Sequence, residues 1–304
     1  MSGYDIIGDI HAQADRLREL LKELGYTGLN FTHPEGRRII FVGDYINRGP
    51  QNRETIQIVQ KIVDNGGRAV MGNHEFKAIC YSKPGIHGNI RPHTVNNTAE
   101  HAGFLEEYPY GTNAYVRVVR WFETLPVYIR TPHFNVVHAC WNEDAISASE
   151  GYVREKDGVL RSKAYRAYDT ENPTPFTQAL DVLLKGPRFK LPRGVNYIDG
   201  QGHPAKETRL LWWHDKTWPP SDLIDKGHLV NEFLSETNKR QIINLRNKFN
   251  YASKQIVFIG HYNLPYDRYI DSPKVVCLNY KEHLMAYRWN EADRGVMPGR
   301  LVCI

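Results

Sequence analysis

The chain has 304 residues, with 39 lysines and arginines against 34 aspartates and glutamates. That length can bury a large core, and a net charge of +5 is compatible with an anionic substrate but too small to mark a nucleic-acid binder. Four cysteines (Cys80, Cys140, Cys277, Cys303) lie far apart with no CxxC pair, which excludes a disulfide framework or a thiolate zinc knuckle.

The first third alternates strands and helices. "YDII" (4–7) is a short apolar run ending at Gly8 and reads as a buried strand. Leu17, Leu20, Leu21 and Leu24 then follow the i, i+3, i+4, i+7 spacing of an amphipathic helix, closed by Gly25. "RIIFV" (38–42) predicts a second strand, Ile56, Val59 and Val63 mark one face of a second helix, and "RAVM" (68–71) predicts a third strand. Such a βαβαβ unit implies a locally parallel sheet.

Residues 76–133 read as helical and aromatic, with Pro126 breaking the last helix. "FNVV" (134–137) and "QIVFI" (255–259) are further strands, and "KVVCLNY", "LMAYRW" and "GRLVCI" read as a closing antiparallel set. Residues 145–250 are the least regular part, containing "LLKGPRFKLPRG" and "LLWWHDKTWPP". The organisation expected is one domain over 1–304 with an insertion at about 145–250 that shapes substrate access. The start of the chain has no leader-like basic and apolar segment, and no run of eighteen apolar residues predicts a membrane span; the scattered cysteines make a reducing cytoplasm the expected location.

Each predicted strand is followed almost at once by a metal-ligating side chain. "YDIIGDIH" delivers Asp9 and His11, "IIFVGDY" delivers Asp44, and "AVMGNHE" delivers Asn73 and His74. "NVVHAC" delivers His138 and "VFIGHY" delivers His261. Carboxyl ends of strands in α/β sheets are where ligands gather, so residues distant in sequence converge there. Any one of these motifs is more often a turn or a core histidine; their joint occurrence at five strand ends is what points to a site.

Asp, Asn and His without thiolate suit two divalent ions, manganese first, with iron or zinc as alternatives. One carboxylate can bridge two such ions, a geometry used in phosphoester hydrolysis. The expected assignment is Asp9, His11 and Asp44 on one ion, with Asp44, Asn73, His138 and His261 on the other. His33, His87, His93, His101 and His133 lack a strand-end setting and read as ordinary surface or core histidines.

"GDIHA", "GDYINRG", "GNHE", "HAC" and "GHY", in this order, resemble the phosphoprotein-phosphatase branch of the calcineurin-like metallophosphoesterases. Bacterial serine/threonine phosphatases and symmetrical diadenosine tetraphosphatases are the nearest in style. The resemblance implies an α/β fold in which two mixed β-sheets form a sandwich flanked by helices, with a dinuclear site at one edge. It also implies that His74 is the general acid, that Arg48 binds the substrate phosphate, and that Glu75 is structural. A second phosphate-binding arginine is expected, with Arg188, Arg193 and Arg209 all open.

Ala12 and Cys140 replace family glycines by small residues. Asn47 is the departure with chemical consequences: the family aspartate at this place pairs with the acid histidine, and asparagine supplies no negative charge. The implied function is hydrolysis of a phosphate ester, as in a phosphorylated protein. The alternative is symmetrical cleavage of diadenosine tetraphosphate or of a nucleotide-capped RNA end, for which Lys185, Arg188, Lys190 and Arg193 could hold phosphates and Trp212, Trp213 and Trp218 a base. A third possibility is a phosphate-binding protein weakened as a catalyst by Asn47. No membrane partner is expected, and the oligomeric state is not legible.

Overall fold

The computed structural model describes residues 3–85, 88–198, 204–214, 217–249, 251, 255–265, 270 and 272–304. Its packing divides the chain into two units, one formed by Met1–Leu184 with Gln255–Ile304 and the other by Lys185–Lys254. The unmatched stretch is thereby divided, since residues 145–184 pack with the first unit.

In the first unit, β1 (Gly3–Ile7) pairs in parallel with β2 (Arg38–Phe41), and β2 in parallel with β3 (Arg68–Ala69). Ile6, Ile7, Ile40 and Phe41 are wholly buried, as an apolar run covered on both faces requires. Helix α1 (Ala14–Glu23) buries Leu17, Leu20 and Leu21 and ends where Gly25 takes a φ of 88°. Helix α2 (Asn52–Asp64) buries Ile56, Ile58, Val59 and Ile62.

β3 is shorter than the predicted 68–71. Val70 still donates to Phe41 O (3.0 Å), but Met71 N turns to Pro126 O (2.7 Å), so the chain leaves β2 two residues early.

The same sheet continues on the other side of β1 with His283–Asn290, Asn279–Tyr280 and Leu301–Cys303, all antiparallel. A second sheet has the order Val275–Cys277, Ile256–Ile259, Phe134–Val137, Tyr128–Arg130. Val275–Cys277 runs parallel to Ile256–Ile259, which corrects the expectation that it joins an antiparallel closing set. Three consecutive buried residues there mark an edge strand covered on both faces, as in a parallel sheet, without the alternation of a half-exposed strand.

Both sheets are mixed, as expected, and their facing surfaces meet through aromatic rings. Phe134 lies 5.5 Å from Tyr4 and 5.0 Å from Trp289, and Phe258 lies 5.1 Å from Tyr287, centroid to centroid. Such edge-on and tilted pairs fill the layer between the sheets.

The second unit holds an antiparallel hairpin (Arg188–Lys190 with Glu207–Arg209) and a helix, Glu236–Lys248, started by the Ser235 capping box. Trp212 and Trp213 are buried and meet edge to face at 5.8 Å, so neither offers a free face for a base; Trp218 stacks on His214 at 4.3 Å. Among the described residues, no helix is long and apolar enough to cross a membrane.

Candidate metal centre

Five strands deliver their polar residues to one place. Asp9 and His11 follow β1, Asp44 follows β2, Asn73 and His74 open the helix Asn73–Ser82 (α3) after β3, and His138 and His261 follow the two parallel strands Phe134–Val137 and Ile256–Ile259. The loops are stitched together by backbone: His11 N donates to Asp44 O (2.9 Å), and Gly260 N to His138 O (2.9 Å). Glycine is required where backbone passes closest. A Cβ at Gly260 would collide with Asp9 Oδ1, and one at Gly72 with the Asp44 amide and carboxylate.

The backbone is also held in unusual conformations. Among the described residues, nine non-glycines have positive φ, and six of them are His11, Ala12, Asp44, Asn47, Arg48 and His261. Left-handed residues of this kind persist where surrounding structure over-determines them, and they cluster at functional sites. Glu75 supplies part of that restraint. Its buried carboxylate accepts the amides of Gly72 (2.9 Å), Asp44 (2.9 Å) and Tyr45 (2.8 Å).

Two buried groups of candidate ligands share one residue: His11, Asp44 and His74 on one side, and Asp44, His138 and His261 on the other, each with ligand atoms within 4.8 Å of one another. Asp44 divides its oxygens between them. Its Oδ1 lies 3.4 Å from His138 Nε2, while its Oδ2 lies 3.9 Å from His11 Nε2 and 3.8 Å from His74 Nε2. Asp9 Oδ2 is 3.8 Å from His11 Nε2. Asn73 Oδ1 contacts His138 Nε2 (3.1 Å) and His261 Nδ1 (2.8 Å), closing the second group.

These residues fit divalent cations. His11 Nε2 is buried and has no hydrogen-bond partner among the described residues, yet it faces two carboxylates at 3.8–3.9 Å. Ligand atoms about 2.1 Å from one ion stand roughly 3–4 Å from each other, the spacing seen here. The backs of the rings are held as metal ligands require: His138 Nδ1 lies 2.8 Å from Val42 O and His11 Nδ1 3.4 Å from Ile46 O, leaving Nε2 turned inward.

Electrostatics agree. Burial lifts the Asp9 carboxyl well above its ordinary range, with the Asp44 charge adding to the effect. Burial pushes His11 down to about 4. His138 goes the other way: burial opposes its charge, but Asp44 and Asp9 hold it up to about 9. Without a cation, a proton on His138 is what compensates the buried carboxylates.

The remaining expected residues lie at the margin. His74 is buried beside Asp44, and its amide donates to Asp44 Oδ1 (3.0 Å). Asn47 contacts His74 Nδ1 through its side-chain nitrogen at 2.8 Å. Arg48 is exposed and enters no hydrogen bond or ion pair among the described residues. Of the candidate second arginines, Arg188 lies 3.5 Å from Glu207 and Arg209 3.9 Å from Asp225, both within the second unit.

Two residues escaped sequence reasoning. Asn279 donates to Asp9 Oδ2 at 2.7 Å; it follows the strand Val275–Cys277, so the strand-end rule would have found it had that strand been read as parallel. His101, read as an ordinary histidine, is wholly buried with Nδ1 3.2 Å from the Asn47 amide nitrogen. No sequence signal marks it. His87 lies outside the described residues.

Residues 4–263 match the family model described as calcineurin-like phosphoesterase. The asymmetrical bis(5'-nucleosyl)-tetraphosphatase PrpE of Bacillus subtilis is 37% identical over 167 residues, covering 52% of this chain and 64% of that protein. Its counterpart in Oceanobacillus iheyensis is 32% identical over 174 residues, covering 55% of this chain and 66% of that protein. The chain thus spans just under two thirds of the length of these curated relatives. Among solved structures, a protein serine/threonine phosphatase from Saccharomyces cerevisiae aligns with 100% of this chain and 79% of its own, at 14% identity and a TM-score of 0.47.

Proposed function

The chain belongs to the calcineurin-like phosphoesterase family, and on that premise we propose that it is a metal-dependent hydrolase cleaving the phosphoanhydride chain of a dinucleoside polyphosphate. One observation carries the hydrolase reading: the Asp44 carboxylate is shared by two buried ligand groups, one oxygen turned to each. Asp9, His11 and Asp44 would hold one divalent cation, and Asp44, Asn73, His138 and His261 the second, with manganese the first choice. Bound there, such cations neutralise phosphate oxygens and acidify water.

The residues of the chain do the rest. Arg48, exposed beside the buried ligands, binds a phosphate by charge-assisted hydrogen bonds. His74 turns Nε2 toward Asp44 and donates a hydrogen bond to the departing oxygen. Its Nδ1 faces the neutral amide of Asn47, so no charge stabilises an imidazolium there. A serine alkoxide must be protonated as it leaves, whereas a nucleoside phosphate departs as a stable anion. Asn47 therefore favours an anhydride substrate, and the names of the PrpE relatives support the same class with cleavage into unequal halves.

The reading as a phosphoprotein phosphatase keeps one specific support, the "GNHE" segment with Glu75 clamping the Asp44 loop. It ranks second because of Asn47. A protein that only binds phosphate ranks last, since phosphate capture alone has no need of two buried ligand groups that share Asp44. We place the protein in the cytoplasm, in keeping with four cysteines that form no disulfide.

Metal stoichiometry tests the carrying observation. Dialysed protein titrated with manganese should bind about two ions per chain and hydrolyse p-nitrophenyl phosphate, and Asp44→Ala should lose both ions and at least a thousandfold in rate. Retention of both ions by Asp44→Ala would remove the basis of the reading.

A further inference from the structure

His101 lies outside every strand-end motif, yet it reaches the site. It precedes the short helix Ala102–Glu107, which is fastened to the start of α2: Glu107 accepts the amides of Asn52 (2.6 Å) and Arg53 (2.8 Å), and Asn52 Nδ2 donates to Gly103 O (3.1 Å). Asn52 Oδ1 in turn accepts the Asn47 amide at 2.8 Å. The loop carrying Asn47 and the turn carrying His101 are therefore fastened to each other through Asn52.

Between them, a single atom meets two rings. The side-chain nitrogen of Asn47 lies 2.8 Å from His74 Nδ1 and 3.2 Å from His101 Nδ1. An amide nitrogen has two hydrogens and no lone pair to offer, so both rings must accept at Nδ1 and carry their proton on Nε2. Were the amide reversed, its oxygen would accept from both, and both rings would carry Nδ1–H. Either way the two tautomers are tied together. In the orientation present the amide nitrogen is the atom turned to both rings, which is the Nε2–H arrangement, and it leaves His74 Nε2 facing the candidate metal centre, 3.8 Å from Asp44 Oδ2.

Packing alone does not explain His101. Its ring lies 4.8 Å from Phe104 and 5.6 Å from Tyr81, surroundings a phenylalanine would fill without stranding a polar atom. Instead, His101 Nε2 and Asn47 Oδ1 are buried with no hydrogen-bond partner among the described residues. Burial pushes His101 down to about 3, so the ring is neutral and has one accepting nitrogen.

We propose that His101 is a positioning residue: through the Asn47 amide it holds His74 in the Nε2–H tautomer, the proton aimed at the candidate metal centre. The inference rests on the reading of His74 as the hydrogen-bond donor to the leaving oxygen.

Nitrogen-15 NMR of histidine-labelled, zinc-loaded protein reads the tautomers directly and needs no turnover, so it separates this inference from the proposed activity. His74 and His101 should both show an unprotonated Nδ1 and a protonated Nε2; Nδ1–H on either ring overturns the proposal. Two variants add a second reading. His101→Asn keeps an acceptor where Nδ1 stood and should retain kcat on phenyl phosphate, a poor leaving group, within about threefold, while His101→Phe should lose about tenfold in kcat with KM unchanged. The reverse order, Phe tolerated and Asn damaging, would make His101 a packing residue and contradict the proposal.

Discussion

The side-chain nitrogen of Asn47 stands 2.8 Å from His74 Nδ1, where a carboxylate would have provided charge. A neutral partner orients the imidazole but does not stabilise its protonated form. Asn47→Asp should therefore speed hydrolysis of a poor leaving group, phenyl phosphate, by about tenfold or more while changing p-nitrophenyl phosphate little. Metal content should stay the same. Equal acceleration of both substrates, or none, would show that proton delivery is not what Asn47 limits.

Arg48 is exposed and left-handed (φ 69°) at the end of the same loop. A charge-assisted contact to phosphate is worth about 1.5–3 kcal/mol, so Arg48→Ala should raise KM roughly tenfold to a hundredfold. Arg48→Lys should recover only part of this, because an ammonium lacks the planar fork. An unchanged KM in steady-state assays would remove Arg48 from the phosphate site.

Metal removal should matter more as pH rises. In the metal-free fold, His138 is raised from 6.5 to about 9, Asp44 and Asp9 outweighing burial. A group that binds its proton more tightly when folded contributes fully below its unfolded pKa and loses that contribution as pH climbs through the folded value. Between about 6.5 and 9 the metal-free protein thus loses stability, while cation binding, which displaces the proton, strengthens. The difference in Tm between zinc-loaded and chelated protein should widen from pH about 6.5 to about 8.5. A constant or narrowing gap would contradict this assignment of charge.

The middle of β1 carries a structural carboxylate. Asp5 is wholly buried and accepts from Arg37 Nη2 (2.8 Å), Arg37 Nε (2.9 Å), Tyr26 OH (2.8 Å) and Arg288 Nε (3.2 Å). Asp5→Ala strands the buried guanidinium of Arg37 and should cost about 3–5 kcal/mol in urea unfolding. A loss below about 1 kcal/mol would mean that Arg37 finds other partners.

The sequence is most legible where local pattern and chemistry coincide. β1, β2 and their helices are short apolar or amphipathic runs punctuated by glycine, and Asp9, Asp44 and His138 stand immediately beyond strand ends. What depends on long-range pairing was not legible. Whether Val275–Cys277 joins Ile256–Ile259 in parallel is decided by the partner strand, and with it the role of Asn279. His101 reaches Asn47 only because Glu107 and Asn52 fasten two segments some 50 residues apart, a connection without a local signature.

The most direct measurement incubates manganese-loaded protein separately with diadenosine tetraphosphate and with a phosphoserine peptide, resolving products by chromatography. AMP and ATP from the nucleotide, with peptide hydrolysis at least about a hundredfold slower, is the expected result for a site whose His74 is backed by a neutral amide. Phosphate release from the peptide at a comparable or greater rate would contradict the account, and so would a metal-loaded protein that cleaves neither.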